Sequence, residues 1–421
     1  MIKTPFYEPI GVIVAVFMWM WIVTPISLAQ PDVRADVHVP FRAITSGPVA
    51  HWFGYYDKHQ FDPSGRYVLG MEVQFQNRTP TPDDTITLGM VDIEDGDRWI
   101  ELGESRSWGW QQGCMLQWVP GSDDEVIYND RRGGQFVSVI KNVVSGEERA
   151  LSKPVYALSP NGKHAVGANF ARIQFTRPGY GYQGVDDPSI QEFAPDNDGI
   201  YSLNLETGES KTIVSIGQIA AIPQESTGKG PHWFNHLLFN TDGSRFIFLH
   251  RVHLLETRKG GWRTRMFTAN VDGSDIRCVA DHGMVSHFIW KNPEEILAWS
   301  REPESGNRYH VYNDGTGDIE VIGDGVLTVD GHCTYSPDGE WILTDTYPNK
   351  ERMITLMLYR PADGKLVELG QFFHPKDHKG EYRCDLHPGW SRDGKFLCID
   401  SLHEDDTRQM YLLDVSGIVG K

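Results

Sequence analysis

Apolar runs and short polar turns alternate along this chain with a regular spacing. Between residue 92 and the C-terminus, seven tight turns that end in glycine each follow an apolar run: Asp92 to Gly96, Val143 to Gly146, Asn204 to Gly208, Asn270 to Gly273, Asn313 to Gly317, Pro361 to Gly364 and Asp414 to Gly417. A strand–turn–strand pattern precedes each of them. Because turns such as Asn-Gly and Asp-Gly supply the positive φ values of tight hairpins, each unit is predicted to be a series of antiparallel hairpins.

The first turn of each unit is equally regular. In five units it is Ser64-Gly65, Asn161-Gly162, Asp242-Gly243, Asp338-Gly339 or Asp393-Gly394, and Gly121 to Glu125 and Asn292 to Glu295 take its place in the other two. Repeated four-stranded units of about 45 residues predict an all-β fold, a seven-bladed β-propeller. The blades are expected to start near residues 51, 112, 155, 232, 284, 331 and 384. Because propellers grow by repetition, residues 30–421 are expected to form one domain.

The last unit is incomplete, which predicts how the ring closes. Gln409 to Asp414 makes a third strand, and only four residues follow Gly417, too few for an outermost strand. The segment 37–45 has strand-like residues and belongs to no unit. We therefore expect an N-terminal outer strand that pairs with the end of the chain and removes an exposed sheet edge.

Charge and composition limit the possible partners. With 57 acidic against 39 basic residues, the net charge is −18, which opposes binding to nucleic acid. An acidic oligosaccharide remains possible if the few cationic groups converge locally. The five cysteines are scattered without CxxC spacing, so buried free thiols are favoured over a disulfide framework, with one or two bridges at most. We expect a monomer without a stable membrane partner.

The N-terminus resembles a signal peptide. Lys3 precedes an apolar run from Ile10 to Ile26, and Ser27-Leu28-Ala29 has the small-x-small pattern of a cleavage site. Residues 1–29 are therefore expected to direct the protein to the periplasm or the exterior. An uncleaved anchor is the alternative, since the run has nearly the length of a membrane span.

Four consecutive blades carry a histidine at one equivalent position. Three residues before the aromatic residue of the innermost strand stand His236, His287, His332 and His387, whereas blade one has Lys58 there. Innermost strands of a propeller surround its axis, so these imidazoles are expected to converge. A single histidine is usually a core or surface residue, and four form either a hydrogen-bonded structural ring or a metal or catalytic cluster. We favour the cluster, because neutral imidazole is a common metal ligand.

Arginines and aromatic residues are expected around this cluster. Arg172, Arg251 and Arg301 follow second strands, where they are either solvated or arranged to bind a carboxylate. The longest interruption of the repeat, Arg172 to Asp198, contains Tyr180 and Tyr182, which act on the substrate or anchor the loop. Further candidate substrate-binding residues open the first two blades: His51, Tyr56, Lys58 and Gln112.

Two segments resemble a known family. They are Gly331-His332-Cys333-Thr334-Tyr335-Ser336-Pro337-Asp338-Gly339 and Asp385-Leu386-His387-Pro388-Gly389-Trp390-Ser391-Arg392-Asp393-Gly394. Both are similar to oligogalacturonate lyase and, more broadly, to the seven-bladed propeller polysaccharide lyases. The resemblance implies β-elimination at a uronate, with a histidine base and a divalent cation (Mn, Ca or Zn). It implies metal ligands at His287, His332 and His387 and a base at His236. No glutamine ligand stands beside His387, where Cys384 and Gly389 lie instead.

The chemistry of elimination suggests a role for each candidate. The proton next to a carboxylate is weakly acidic, so the charge of the anion must be neutralised while a base near neutral pKa removes the proton. We hypothesise that His236 abstracts it, with His232 as a second candidate. Arg172 and Arg251 would bind the carboxylate, and Tyr180 or a water would protonate the leaving oxygen.

Three other functions fit the same pattern. A rhamnosidase-like glycoside hydrolase would use the fold without forming an unsaturated product. A glycan-binding propeller would keep the aromatic rim without catalysis, and a metal-dependent peptide-binding propeller would not bind sugars. The chain lacks GxSxG, HExxH and P-loop motifs.

Overall fold

The structure is a computed structural model and describes residues 34–223, 228–255 and 261–420. Within these ranges the strands form seven antiparallel sheets, accompanied by a few short helices. The seven sheets are the seven predicted blades, each with four or five strands. The all-β, seven-bladed propeller is therefore confirmed.

The first three blades run from the innermost strand outward in chain order. Blade one contains β3 (Ala50–Trp52), β4 (Tyr67–Val73), β5 (Ile86–Asp92) and β6 (Arg98–Ser105). Blade two contains β7 (Gln117–Trp118), β8 (Glu125–Arg132), β9 (Gln135–Asn142) and β10 (Glu148–Leu151). Blade three contains β11 (Ala157–Leu158), β12 (His164–Gly167), β13 (Gly199–Asn204) and β14 (Ser210–Ser215).

The next two blades repeat this order. Blade four contains β15 (His232–Phe239), β16 (Arg245–His253), β17 (Trp262–Asn270) and β18 (Arg277–Ala280). Blade five contains β19 (Val285–Trp290), β20 (Glu295–Glu302), β21 (Gly306–Asn313) and β22 (Ile319–Ile322).

The last two blades combine both parts of the chain. Blade six contains β23 (Thr334–Tyr335), β24 (Ile342–Asp345), β25 (Met353–Arg360), β26 (Lys365–Phe373) and, at its edge, β1 (Ala35–Val37). Blade seven contains β27 (Gly389–Trp390), β28 (Phe396–Ser401), β29 (Gln409–Asp414) and, at its edge, β2 (Phe41–Ala43).

The closing strand lies where the sequence places it. Strand β2 pairs antiparallel with β29, with Phe41 opposite Leu413 and Ala43 opposite Tyr411, and Ile44 N–H donates to the carbonyl of Met410 at 2.9 Å. The closure by an N-terminal outer strand is confirmed. Strand β1 adds a second, unpredicted closure by pairing with β26 of blade six.

The end of the chain differs from the expected turn. Instead of a turn at Gly417, residues Ser416–Val419 form a short helix, α3. Ile418 and Val419 pack partly against the core of blades six and seven.

The hairpin turns have the geometry that their sequences predict. Gly65 and Gly394, for example, adopt φ values of 79° and 72°, in the left-handed region that glycine enters without steric cost. Apolar residues from neighbouring sheets fill the space between blades. At the seam of blades seven and one, Ile44 packs with Phe61, Val68, Val91, Cys398, Met410 and Leu412. The seam is thus closed by side chains as well as by strand pairing.

The long interruption of blade three begins as a helix. Asn169 caps α1 (Phe170–Thr176) by accepting hydrogen bonds from Ala171 N–H and Arg172 N–H. After the helix, residues 177–182 cross toward the inner strands. A second short helix, α2 (Ile216–Ala220), follows β14, and one 3-10 turn, Gly380–Tyr382, precedes blade seven.

All five cysteines are free thiols, four of them buried and Cys278 exposed. The predicted signal peptide lies outside the described residues. Among the residues that are described, no helix is long and apolar enough to cross a membrane.

Candidate active site

The inner strands of four blades are interrupted at their histidines. The β15–β16 pairing shifts register between Asn235 and Leu238, around His236, and the β19–β20 pairing shifts between Val285 and Phe288, around His287. In blades six and seven the inner strand starts two residues after the histidine. Such irregularities redirect side chains away from the regular alternation of a strand.

At three of these interruptions, a side chain accepts the hydrogen bond of a backbone N–H that has no partner in the neighbouring strand. The N–H of His236 donates to the Tyr156 hydroxyl at 2.9 Å, and the N–H of His332 donates to Asp345 Oδ1 at 2.8 Å. In blade five, Phe288 N–H donates to the Tyr56 hydroxyl at 3.2 Å. The interrupted backbone is therefore satisfied, as buried N–H groups must be.

The four imidazoles gather around two buried tyrosines. Ring centroids of His287 and His332 lie 4.2 Å apart, and those of His332 and His387 lie 4.4 Å apart. Tyr55 lies 5.3 Å from His236 and 5.2 Å from His387 by the same measure. The structure thus brings together the four histidines that the repeat predicts, around Tyr55 and Tyr56 on the segment that follows β3.

Three ligand atoms converge within this group. One atom each from His332, Asp385 and His387 lies within 4.8 Å of the other two. His332 Nε2 and His387 Nε2 are buried and have no hydrogen-bond partner among the described residues, whereas the buried Asp385 Oδ2 forms an ion pair with Arg383 Nε. Buried polar atoms without partners are costly unless something binds them. Two imidazole nitrogens and a carboxylate oxygen are ligands that a divalent transition metal accepts, so these residues fit a metal ion.

Outer contacts hold these ligands in place. Asp345 accepts from His332 Nδ1 at 2.9 and 3.0 Å, which directs Nε2 toward the group. Although burial alone would lower the pKa of His332, Asp345 and Asp385 raise it.

Arg383 Nε lies 2.7 Å from Asp385 Oδ2. Burial alone would raise the pKa of Asp385, but Arg383 and the neighbouring histidines lower it. The carboxylate is therefore ionised and available as a ligand at neutral pH.

His287 takes a neighbouring position rather than a place in the three-atom group. Its Nδ1 lies 2.9 Å from Asp330 Oδ1, and burial lowers its pKa although Asp330 opposes this. The contact orients the other ring nitrogen, in the way that carboxylates orient metal-bound histidines. The role of His287 as a metal ligand stays a prediction, and Asp385 adds a ligand atom that the sequence did not predict.

His236 lies in surroundings that favour its neutral form. Its Nδ1 lies 2.9 Å from the Tyr55 hydroxyl and 3.4 Å from Gln112 Nε2, and Nε2 has no hydrogen bond with a described residue. Burial, reinforced by the charge of Arg177, lowers the pKa of His236 well below its ordinary value of 6.5. The backbone has φ 54°, a conformation that costs about 1–3 kcal/mol in a residue other than glycine and is concentrated at functional sites.

Tyr180 lies beside His236 on the segment after α1. The two ring centroids are 5.5 Å apart, and the Tyr180 hydroxyl accepts a hydrogen bond from Arg383 Nη2 at 2.9 Å. Although burial alone would raise the pKa of Tyr180, the guanidinium groups of Arg177 and Arg383 lower it. This phenol is therefore a stronger acid than an ordinary tyrosine.

Arg177 is a guanidinium with free donors. Its central carbon lies 4.1 Å from the Tyr180 ring centroid, the side chain is half-buried, and it makes no hydrogen bond with a described residue. Arg383, in contrast, is held by Asp385, Tyr180 and the carbonyl of Gly380. Arg177 is therefore the guanidinium beside His236 that is available to a ligand.

Several predicted site residues lie away from this group. Arg172 is buried inside α1 and binds Asp187 and the carbonyls of Ser189, Glu192, Phe193 and His232. These bonds engage all three of its nitrogens. His232 Nδ1 lies 2.8 Å from His250 Nε2, and the Tyr182 ring stacks on Phe170 at 4.2 Å. The structure therefore does not bring Arg172, His232 or Tyr182 to the histidine group.

Of the other predicted substrate-binding residues, two contact the inner strands and the rest lie farther from the histidine group. Gln112 contacts the ring of His236, and the Tyr56 hydroxyl accepts from the N–H of Phe288. Lys58 Nζ forms a buried ion pair with Asp57 at 2.7 Å. His51 lies between Gln409 and Glu72, and the exposed Arg301 donates to Asn307 Oδ1 at 3.0 Å. Arg251 lies near Trp262, 5.8 Å from the indole centroid.

Sequence reasoning missed four residues that complete the group: Asp385, Arg383, Arg177 and Asp345. The signal for Asp385 was present, since the spacing Asp385-Leu386-His387 directs two side chains to one side of an extended segment. The other three come from loops or a second strand, where the repeat offers no equivalent position to compare.

Comparison with known proteins adds evidence for the fold. No model of a protein family and no curated protein matches the chain. An oligogalacturonate lyase in complex with manganese superposes with a TM-score of 0.64 at 16% identity, covering 91% of this chain and 95% of that one. The oligogalacturonate lyase of Vibrio parahaemolyticus superposes with a TM-score of 0.61 at 14% identity, covering 90% and 96%. The chain has the oligogalacturonate lyase fold. The resemblance that the two segments indicated is thereby confirmed at the level of fold.

Proposed function

We propose that this protein is a metal-dependent lyase that cleaves a uronate-containing oligosaccharide by β-elimination. The observation that supports this most strongly is that three buried ligand atoms converge beside a histidine of lowered pKa, whose Nε2 has no hydrogen bond with a described residue. The lyase fold agrees with it. Elimination next to a carboxylate requires these two devices together, a base and a means of neutralising the anion.

His332, Asp385 and His387 would hold the metal, with His287 beside them. When bound, a divalent cation supplies positive charge that neutralises a uronate carboxylate. We propose manganese, because a structure of the same fold is a manganese complex and a carboxylate is a ligand that manganese accepts.

His236 acts as the base in this proposal. The role requires the tautomer in which Nδ1, 2.9 Å from the Tyr55 hydroxyl oxygen, carries the proton and Nε2 faces the sugar. Nε2 takes the proton from the carbon next to the carboxylate, and the electron pair left behind forms the new C=C bond. Because its pKa is lowered, His236 is neutral at physiological pH and ready to accept this proton.

In this proposal Tyr180 acts on the leaving oxygen, and Arg177 acts on the reacting carboxylate. As the C–O bond at the adjacent carbon breaks, the Tyr180 hydroxyl gives its proton to the leaving oxygen, and Arg383 and Arg177 stabilise the phenolate that remains. Arg177 also offers its free donors to the reacting carboxylate. It takes the role that the sequence assigned to Arg172, whose donors are engaged elsewhere.

We also propose that the protein works outside the cytoplasm, where polymeric uronates are encountered. The apolar run and the small-x-small sequence before Gln30 motivate this. N-terminal sequencing of the protein recovered from its host would test it: a mature chain starting near residue 30 in the exported fraction is expected, and an intact N-terminus in the cytoplasm would contradict it.

Ultraviolet absorbance tests the reaction directly. The purified protein is mixed with a panel of uronate oligosaccharides, and a rise from the conjugated double bond is expected with at least one of them. His236→Gln should remove the rise while leaving the unfolding temperature within a few degrees. Cleavage without the double bond would indicate a hydrolase instead, and binding without cleavage would indicate a glycan-binding propeller.

A further inference from the structure

One buried carboxylate contacts the segment that carries Tyr55. Asp400, on β28, is 3% exposed, and its two oxygens accept hydrogen bonds from the N–H groups of Phe53 and Gly54 at 3.0 and 3.1 Å. Tyr55 follows directly, and its hydroxyl lies 2.9 Å from His236 Nδ1. A short series of contacts therefore leads from Asp400 to the proposed base.

The main chain of the same residue contacts the proposed metal ligands. Asp400 N–H donates to the carbonyl of Leu386 at 2.9 Å, and Leu386 lies between Asp385 and His387. The regular pairing of β27 with β28 begins only at Gly389, so this hydrogen bond holds the chain beyond the end of the paired strands. Asp400 therefore contacts the metal side of the site through its backbone and the base side through its carboxylate.

The segment before Tyr55 follows a path that few contacts define. Strand β3 ends at Trp52, and Gly54 then adopts φ 107°, a conformation that favours glycine. A Cβ at Gly54 would meet backbone atoms of Gln112 and Gly113 at 3.1 and 3.2 Å. The carboxylate therefore binds the chain at the point where it leaves the strand and turns toward the histidine group.

Stability alone is a poor explanation for a carboxylate at this place. Burial raises the pKa of Asp400 to about 7, although the two N–H donors and the charge of Arg408 oppose this. An ionised carboxylate is costly to bury. It is, however, the side chain of this shape that accepts at both oxygens, since the nitrogen of an asparagine only donates. The two N–H groups that it orients explain its presence better.

We propose that Asp400 is a positioning residue, which holds the Tyr55 hydroxyl against His236 through the backbone of Phe53 and Gly54. Asp400 touches neither the substrate nor the metal. Its effect on catalysis rests on the proposed function, whereas the contact of Tyr55 with His236 can be measured without substrate.

Nitrogen NMR of the His236 ring tests the contact. The full-length protein is measured without manganese, whose unpaired electrons broaden nearby signals, and His236→Gln assigns the resonances. Asp400→Asn keeps the main-chain N–H and the size of the side chain but can accept only one of the two bonds. The Nδ1 resonance should therefore change as it does in Tyr55→Phe. Because Asp400 acts through Tyr55, the double variant should show no further change beyond Tyr55→Phe.

Asp62→Asn is the matched control. Asp62 is 4% exposed and accepts hydrogen bonds from the N–H groups of Ser64 and Tyr67 at 3.0 and 2.7 Å, in the first hairpin turn of blade one. Its replacement should leave the His236 resonances unchanged. An equal change in Asp62→Asn and Asp400→Asn would show a general effect of destabilisation and overturn the positioning role.

Kinetics on a uronate oligosaccharide give the second measurement. Asp400→Asn should lower kcat about 10- to 100-fold, because small displacements at a reacting group are costly. KM and manganese affinity should stay within about threefold, since the hydrogen bond to Leu386 is retained. In a Tyr55→Phe background, the same change should lower kcat by no more than about twofold.

The possible results distinguish the two proposals. An unchanged His236 resonance in Asp400→Asn would overturn the positioning role, whatever the activity of the protein. A changed resonance in a protein that forms no unsaturated product would support the positioning of His236 and reject the lyase. If Asp400→Asn does not fold, Asp400→Glu takes its place, since its longer side chain should displace the segment and change the same resonance; an unchanged resonance there would likewise overturn the role.

Discussion

At the residue scale, the proposed role of His236 as the base makes activity depend on the protonation state of this histidine. Only the neutral imidazole accepts a proton, and burial together with Arg177 lowers its pKa well below 6.5. Activity should therefore be constant from neutral pH down to about pH 6.5 and fall only below that value. The pH dependence of kcat/KM at saturating metal measures this.

The charge of Arg177 provides a check on the cause. Arg177→Gln removes a positive charge near His236, so the acidic limb of the profile should move to higher pH while maximal activity falls. An acidic limb centred above pH 6.5 in the unaltered enzyme would contradict the assignment of His236 as a buried neutral base.

Asp385 is the residue on which metal binding should depend most clearly. Asp385→Asn removes the anionic ligand and leaves the shape of the side chain nearly unchanged. Because changes to outer contacts of a metal site alone cost about 10- to 100-fold in affinity, loss of a direct ligand should weaken manganese binding by at least about 100-fold. Calorimetric titration with manganese measures it.

Asp324→Asn is the matched control, since Asp324 is exposed and pairs only with Arg308 among the described residues. Its manganese affinity should equal that of the unaltered protein. Equal affinities in both variants would remove Asp385 from the metal site.

The repeat explains which site residues could be predicted from the sequence and which could not. His236, His287, His332 and His387 occupy equivalent positions, so counting from the strand aromatic locates them. Arg172 was aligned with the ends of second strands, but it lies in a helix that turns its side chain inward. Asp345 ends a second strand and Arg383 lies in a loop, so counting from the strand aromatic does not locate them.

At the element scale, a close backbone contact sets the position of Tyr180. A Cβ on Gly109 would meet the carbonyl oxygens of Gly179 and Gly181 at 2.6 and 2.9 Å. Gly109→Ala should therefore displace the segment that carries Tyr180. Since small displacements of a catalytic group cost up to about 100-fold, kcat/KM should fall about 10- to 100-fold, whereas Tm should fall by less than about 5 °C.

Gly417→Ala tests whether the effect is specific to this contact. No atom lies within 4 Å of a Cβ added there, so both activity and stability should be unchanged. An unchanged kcat/KM in Gly109→Ala would show that the position of Tyr180 does not matter for the reaction.

Hairpins were predictable at this scale because their turns use Asp-Gly and Asn-Gly pairs. The register shifts at His236 and His287 were not, since the apolar pattern continues across them. They are stabilised by Tyr156 and Tyr56, which come from other blades. The sequence did not predict α1, because the long interruption of blade three indicates a loop.

At the scale of the whole molecule, the two ends of the chain close the ring. Ile44 is 2% exposed and packs on residues of both blade seven and blade one. Ile44→Ala should lower the free energy of unfolding by about 2–5 kcal/mol, because it leaves a cavity at the seam. Denaturant titration measures this.

Arg42→Ala is the control on the same N-terminal segment. Arg42 forms an exposed ion pair with Asp97, so its loss should change stability by no more than about 0.5 kcal/mol. If Ile44→Ala costs no more than Arg42→Ala, the N-terminal segment does not hold the ring closed. The closure itself was predictable, because a blade with three strands leaves an unpaired edge. The second strand, β1, was not, since blade six already had four strands.

The most direct test of a metal-assisted elimination at the histidine group is removal and return of the metal. The protein is treated with a chelator, freed of it, and titrated with manganese while the ultraviolet absorbance of unsaturated product from a uronate oligosaccharide is followed. Activity should be absent without metal and reach its maximum at one manganese per chain, and Asp385→Asn should require at least about 100-fold more metal. Full activity in the metal-free protein, or none at any manganese concentration with every uronate offered, would contradict the account.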